Sequence, residues 1–212
     1  MTRIMTTGLI GLLAATPLAA QTTTPPATPP TTPPTTSPAP APAAAPNILD
    51  KAINQPGTNW QVYGATQKSR MGKTEGVPGS QAMRVEVSAK GANAWDVGAM
   101  SPIQKPIGAG DAVLVAVYMR APALKPGETT DIAFVGATNT VEPYEPIAAA
   151  PAVVGREWKL YYASGKSPRA FAANTARVAV HLAGAKQVIE LGPVFVLDFG
   201  PDYDLAKMPK TS

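Results

Sequence analysis

The sequence predicts an all-β protein: one sandwich or barrel of short strands, preceded by an irregular N-terminal arm. Three observations carry that prediction. From Asn47 onward, short segments of alternating apolar residues recur, separated by clusters of Gly, Pro, Asp and Ser that favour turns. No segment of this region sustains a 3.6-residue apolar period over a helix length. Residues 1–46 read differently, as an apolar leader and then a Pro/Thr/Ala tract in which proline fixes φ and removes backbone donors.

The leader, residues 1–20, has Arg3 as its one charge, then the apolar run Gly8-Leu9-Ile10-Gly11-Leu12-Leu13-Ala14-Ala15, then Pro17-Leu18-Ala19-Ala20. This is the order of a secretory signal peptide, with cleavage expected after Ala20. The run is too short to span a bilayer, which takes about 20 apolar residues, so a membrane-spanning role is not expected. The chain has no cysteine, which excludes both a lipid-anchored N-terminal cysteine and disulfides. Residues 21–46 have no charge and no aromatic side chain. They are expected to form a disordered linker biased to extended polyproline II, with a reach on the order of 75 Å. Residues 47–212 are the folded domain. A domain exported on a stiff, uncharged tether is expected to bind rather than to transform, in the periplasm or outside the cell.

Within the domain, Trp60-Gln61-Val62-Tyr63 reads as a first short strand. Met83, Val85 and Val87 alternate with Arg84, Glu86 and Ser88, a half-exposed strand. Trp95-Asp96-Val97 is a further short candidate. Val113, Val115, Val117 and Met119 alternate with Ala112, Leu114, Ala116 and Tyr118, which makes this segment apolar on both faces, as a central strand is. Ala148 to Ala152 reads as a helical turn confined by Pro146 and Pro151. Trp158-Lys159-Leu160-Tyr161-Tyr162 is another strand, and Val178, Val180 and Leu182 alternate with Arg177, Ala179 and His181 in the next. The last apolar stretch, Val188 to Leu197, has Gly192-Pro193 in its middle, which predicts a bulge or an edge position. The net charge of +4 is spread without a dense basic run and argues against nucleic acid as a partner.

The order of several segments carries a resemblance. Asn47-Ile48-Leu49 is followed by Trp60, and Trp95-Asp96-Val97 leads into Pro106-Ile107-Gly108-Ala109-Gly110-Asp111. Val115-Ala116-Val117-Tyr118-Met119-Arg120-Ala121, Pro143-Tyr144 and Glu157-Trp158-Lys159-Leu160-Tyr161 come next. Val178-Ala179-Val180-His181-Leu182 and Ile189-Glu190-Leu191-Gly192-Pro193-Val194-Phe195-Val196-Leu197 close the series. In this order they resemble carbohydrate-binding modules of the family 4/9/22 type, which are jelly-roll β-sandwiches of the galactose-binding-like group. The resemblance implies a jelly roll that binds a polysaccharide or envelope glycan in a cleft on a concave sheet. It also implies that no cofactor is required, although such modules often hold a structural calcium. They also occur fused to glycosidases or esterases. No second domain is expected to follow here, and a partner enzyme, where there is one, is expected on another chain.

Sugar recognition needs flat aromatic faces for the C–H faces of the rings and planar polar groups for the hydroxyls. On the resemblance, Trp95 and Tyr118 are the expected stacking residues. Tyr118 and Arg120 share the face opposite Val117 and Met119, and so are expected to point into the cleft. His181, with Arg177, faces away from Val178 and Val180. Tyr144, flanked by Glu142 and Glu145, is expected to close one end, and Gln104 to add a hydrogen bond. Trp60 and Trp158 are read as core residues.

The enzyme reading is weaker. Glu142 and Glu145 lie three apart in one loop, and His181 with Asp96 or Asp131 has no Gly-x-Ser-x-Gly elbow to serve. One histidine and no cysteine make a poor catalytic zinc site. Asp198, Asp202 and Asp204 do not match a calcium-loop pattern; a calcium could instead take backbone carbonyls near Asn47 and the last strand. A protein-interaction or envelope-structural module is the remaining alternative, since one fold hosts both roles.

Overall fold

The structure, a computed structural model, describes residues 47–211. The signal peptide and linker expected over residues 1–46 lie outside the described residues. Among the described residues no helix is long and apolar enough to cross a membrane.

Ten strands form in chain order: β1 (Gln61–Tyr63), β2 (Gln67–Lys73), β3 (Gln81–Val87), β4 (Gly98–Ile103), β5 (Ala112–Arg120), β6 (Thr130–Asn139), β7 (Pro146–Val154), β8 (Lys159–Lys166), β9 (Ala176–His181) and β10 (Gln187–Asp198). They make two five-stranded antiparallel sheets. One has the order β1-β4-β9-β6-β7, the other β2-β3-β10-β5-β8. From β3 to β6, and again from β7 to β10, each successive strand changes sheet except at the β6–β7 hairpin. That winding is a jelly roll.

Alternation along each strand builds the core. Val113, Val115, Val117 and Met119 of β5, beside Ile189, Leu191, Val194 and Val196 of β10 in the same sheet, point inward toward Val178 and Val180 of β9 and Ile132 and Val135 of β6, all fully or almost fully buried. β5 is apolar on its other face for a separate reason. There Ala112 and Leu114 join Ala52, Leu197 and Met208 in a second cluster, against which Phe199, Tyr203 and Leu205 of the C-terminal segment pack.

Two sequence expectations change, and a third is met. Trp95-Asp96-Val97 is not a strand: Ala94–Asp96 is a 3-10 turn. Its backbone is closed by the Asp96 carboxylate, which accepts from the Asn93 N–H at 2.8 Å, and this local bond competes with strand pairing. Ala148 to Ala152 is not helical but the middle of β7. Ile147, Ala148, Ala152 and Val154 are buried, and Pro151 falls where the β6–β7 register shifts, so its missing donor breaks no ladder bond. Gly192-Pro193 does mark a bulge, between Leu191 and Val194, but in a central strand paired with both β3 and β5. The Gly192 carbonyl, freed by the bulge, accepts from the indole Nε1–H of buried Trp60 at 2.7 Å.

Candidate functional site

Outward-pointing residues of the β1-β4-β9-β6-β7 sheet fall in rows across its strands. One row runs Tyr63, Gly98, His181. The next runs Met100, Ala179, Gly136, Ala149. The third runs Pro102, Arg177, Thr138, Pro146. Larger side chains of the outer rows, Tyr63, His181, Arg177, Thr138 and Pro146, flank Ala179 and Met100 of the middle row, which leaves a groove across the sheet. Its volume is about 590 Å³, and Trp95, Phe134, Pro143 and Tyr144 complete its walls.

Each wall residue has a local reason for its place. The 3-10 turn holds Trp95 at one end, anchored by the Ala183 N–H donating to the Ala94 carbonyl at 2.9 Å. The Trp95 indole is 57% exposed, and its ring meets His181 edge-on at 6.2 Å. The His181 imidazole stacks on Phe134 at 4.7 Å. Tyr63 lies over Gly98, where a Cβ would come within 3 Å of the Tyr63 ring, so glycine is what lets the phenol lie against the sheet. Tyr144 sits in the loop after β6 with φ of 54°, an uncommon left-handed conformation that turns its ring over the sheet at 46% exposure. The Arg177 guanidinium stands 5.2 Å from the centre of that ring.

Electrostatically the groove is aromatic with one fixed cation. Burial, and then the charge of Arg177, push the His181 imidazole below its usual range, which keeps it neutral at neutral pH. Burial raises the Tyr63 phenol, opposed by Arg177. Among the described residues no carboxylate lines the groove. Glu145, on the nearby loop, pairs with Arg169 at 2.9 Å.

The structure thus brings three of the sequence-predicted residues together, Trp95, Tyr144 and His181. It separates Tyr118 and Arg120 from them. Both do point away from the core, but from the other sheet, on the opposite side of the sandwich. Alternation tells a core face from an outer face; it does not tell which of two sheets a strand joins. Arg120 is occupied there: Nε donates to Glu190 at 2.8 Å, Nη2 to the Thr74 hydroxyl at 2.9 Å, and the guanidinium stacks 4.8 Å from the Trp158 ring. Tyr118 lies beside Gly192 and next to Trp158. Gln104 is also elsewhere, accepting from the Gln55 N–H at 2.8 Å. Sequence reasoning missed Tyr63, Met100, Phe134 and Thr138. The signal for Tyr63 was its alternation with Val62, and β6 was hidden by its mixed Thr-Asp-Ile-Ala-Phe start.

A larger hollow, about 670 Å³, lies between the β2–β3 end and residues 121–130, and its walls carry no aromatic ring. Among the described residues no three His, Asp or Glu side chains converge as a metal site. Asp111 and Asp198 do stand as a close pair where β5 begins and β10 ends, with Asp198 opposite core residue Val113. Burial, and then Asp111, raise the Asp198 carboxyl, opposed by the Gly200 N–H and Lys51.

No family model and no curated protein matches the chain by sequence. Solved structures match it by shape. The second N-terminal cellulose-binding domain of β-1,4-glucanase C from Cellulomonas fimi aligns over 72% of this chain and 98% of its own, with a TM-score of 0.50 and 19% identity. A family 4 carbohydrate-binding module aligns over 66% and 94%, with a TM-score of 0.51 and 15% identity. The C-terminal family 22 carbohydrate-binding module of a Clostridium thermocellum protein aligns over 73% and 98%, with a TM-score of 0.50 and 12% identity. The fold is that of the family 4 and family 22 carbohydrate-binding modules. Other matches are longer proteins: the chain spans 26% of the length of an arabinose-bound α-L-arabinofuranosidase.

Proposed function

We propose that the domain is a non-catalytic carbohydrate-binding module that takes a polysaccharide or envelope glycan in the groove of the β1-β4-β9-β6-β7 sheet. The observation that carries this reading is the groove itself: aromatic side chains at both ends and Ala179 low between them. Trp95 and Tyr144 offer exposed ring faces for the C–H faces of sugar rings, and the Tyr63, Thr138 and His181 polar atoms are placed for hydroxyls. Glycoside hydrolysis takes two carboxylates across the scissile bond, and this lining supplies none. Binding is proposed to need no cofactor, and the protein to act in the periplasm or outside the cell, serving an enzyme on another chain.

A glycan-array screen of the full chain, with and without Ca²⁺, tests the reading. A related set of glycans is expected to bind. Trp95→Ala is expected to weaken that binding by about tenfold, since aromatic contacts of this kind are worth ~1–2 kcal/mol. A well-folded protein that binds no glycan would reject the reading, and a Ca²⁺-dependent rise in Tm would reveal a structural calcium.

A further inference from the structure

Resting on the glycan-binding reading, we infer that the groove selects an acidic sugar chain, one bearing hexuronate units, with Arg177 as counter-ion to the sugar carboxylate.

The inference starts from what Arg177 lacks. Arg84, Arg120 and Arg169 each pair with a glutamate within 3.1 Å. Arg177, half-buried in the groove wall, has no carboxylate among the described residues. Its Nη1 donates to the Met100 sulfur at 3.3 Å, a weak acceptor, and its Nε is buried with no hydrogen-bond partner at all. A half-buried guanidinium with an orphaned N–H costs stability unless something completes it.

The surroundings fit a carboxylate as that missing group. With His181 held neutral, Arg177 is the fixed charge of the lining, and no acid there competes for it. The guanidinium is a planar fork that meets a carboxylate with two parallel hydrogen bonds, and the Tyr144 ring beside it leaves that fork usable, since a cation stacks on an aromatic face without spending its donors. The reach also fits. Arg177 is two residues from Ala179 on the same face of β9, about 6.6 Å along the strand. A pyranose lying over Ala179 would direct an exocyclic carboxylate toward the guanidinium, while its ring stays against the aromatic walls. A neutral sugar at the same place offers hydroxyl oxygens to the guanidinium N–H groups but no charge to pair with it.

The test is titration calorimetry of the full chain with trisaccharides of galacturonate, of mannuronate and of glucuronate, each as the free acid and as its methyl ester, beside neutral xylotriose and cellotriose. At least one acid is expected to bind about tenfold or more tighter than its own ester, the size of one charge-assisted contact. Arg177→Gln is expected to bring acid and ester within about twofold, whereas Arg70→Gln, on an exposed strand of the other sheet, leaves the preference intact. Esters or neutral sugars bound as tightly as the acids would overturn the inference and leave the glycan-binding reading standing. Equal weakening of acid and ester by Arg177→Gln would do the same. Failure of every sugar would reject both.

Discussion

Trp95 is available to a ligand because of a three-residue turn. Its indole is more than half exposed and meets the His181 ring edge-on at 6.2 Å. Trp95→Ala is therefore expected to cost little stability, within about 0.5 kcal/mol in denaturant unfolding, while costing affinity. Gly98 carries the converse case. A β-branched side chain there would push into the Tyr63 ring, whose far end is free to swing away. Gly98→Val is expected to lower glycan affinity on the order of fivefold, about 1 kcal/mol, through displacement of Tyr63. The change should register as a Tyr63-dependent shift in near-UV circular dichroism with the far-UV spectrum unchanged. At this scale Trp95 was named through the resemblance, Tyr144 from its loop between Glu142 and Glu145, and His181 from its alternation against Val178 and Val180. Arg177 and Phe134 gained meaning only from position, one from a missing partner and the other from a ring stacked beneath His181.

At the scale of elements, the two outer faces differ in chemistry. The face bearing Tyr118 is tied down by the Arg84–Glu190–Arg120 ladder at 2.7 to 3.1 Å and by Arg120 on Trp158. On the core-facing side, where β10 ends opposite Val113, Asp198 stands against Asp111. The fold raises the Asp198 carboxyl above its ordinary value of 3.8, so native Asp198 holds its proton more tightly than the unfolded chain does. Its contribution to stability is complete below that value and is lost as pH rises through the native one. Asp198→Asn cannot ionise, yet keeps an oxygen to accept from the Gly200 N–H, now at 2.8 Å. Its Tm relative to the parent protein is expected to be higher at pH 7 than at pH 4. A difference that does not vary between those pH values would remove the burial argument. The strands themselves were legible where alternation was clean, as in β3, β5 and β9. β2, Gln67–Lys73, was not, because it is an edge strand exposed along nearly its whole length and carries no apolar rhythm. β7 was not either, because alanine has no strong preference for strand and two prolines argued against it.

For the whole molecule, the jelly-roll winding decides what sequence periodicity leaves open. β5 and β9 both present polar residues away from the core, but they lie in different sheets, so Tyr118 and His181 end on opposite sides of the sandwich. The groove forms on the sheet where Ala179 falls between the row of Tyr63 and His181 and the row of Arg177, Thr138 and Pro146, a register that no single strand reveals. The most direct test of this assignment is a paired titration of Trp95→Ala and Tyr118→Ala against the strongest glycan from the array, each with its Tm. The account predicts a loss of about tenfold for Trp95→Ala and parent-like affinity for Tyr118→Ala. Parent-like affinity in Trp95→Ala with a loss in Tyr118→Ala would place the sugar on the other face and contradict it.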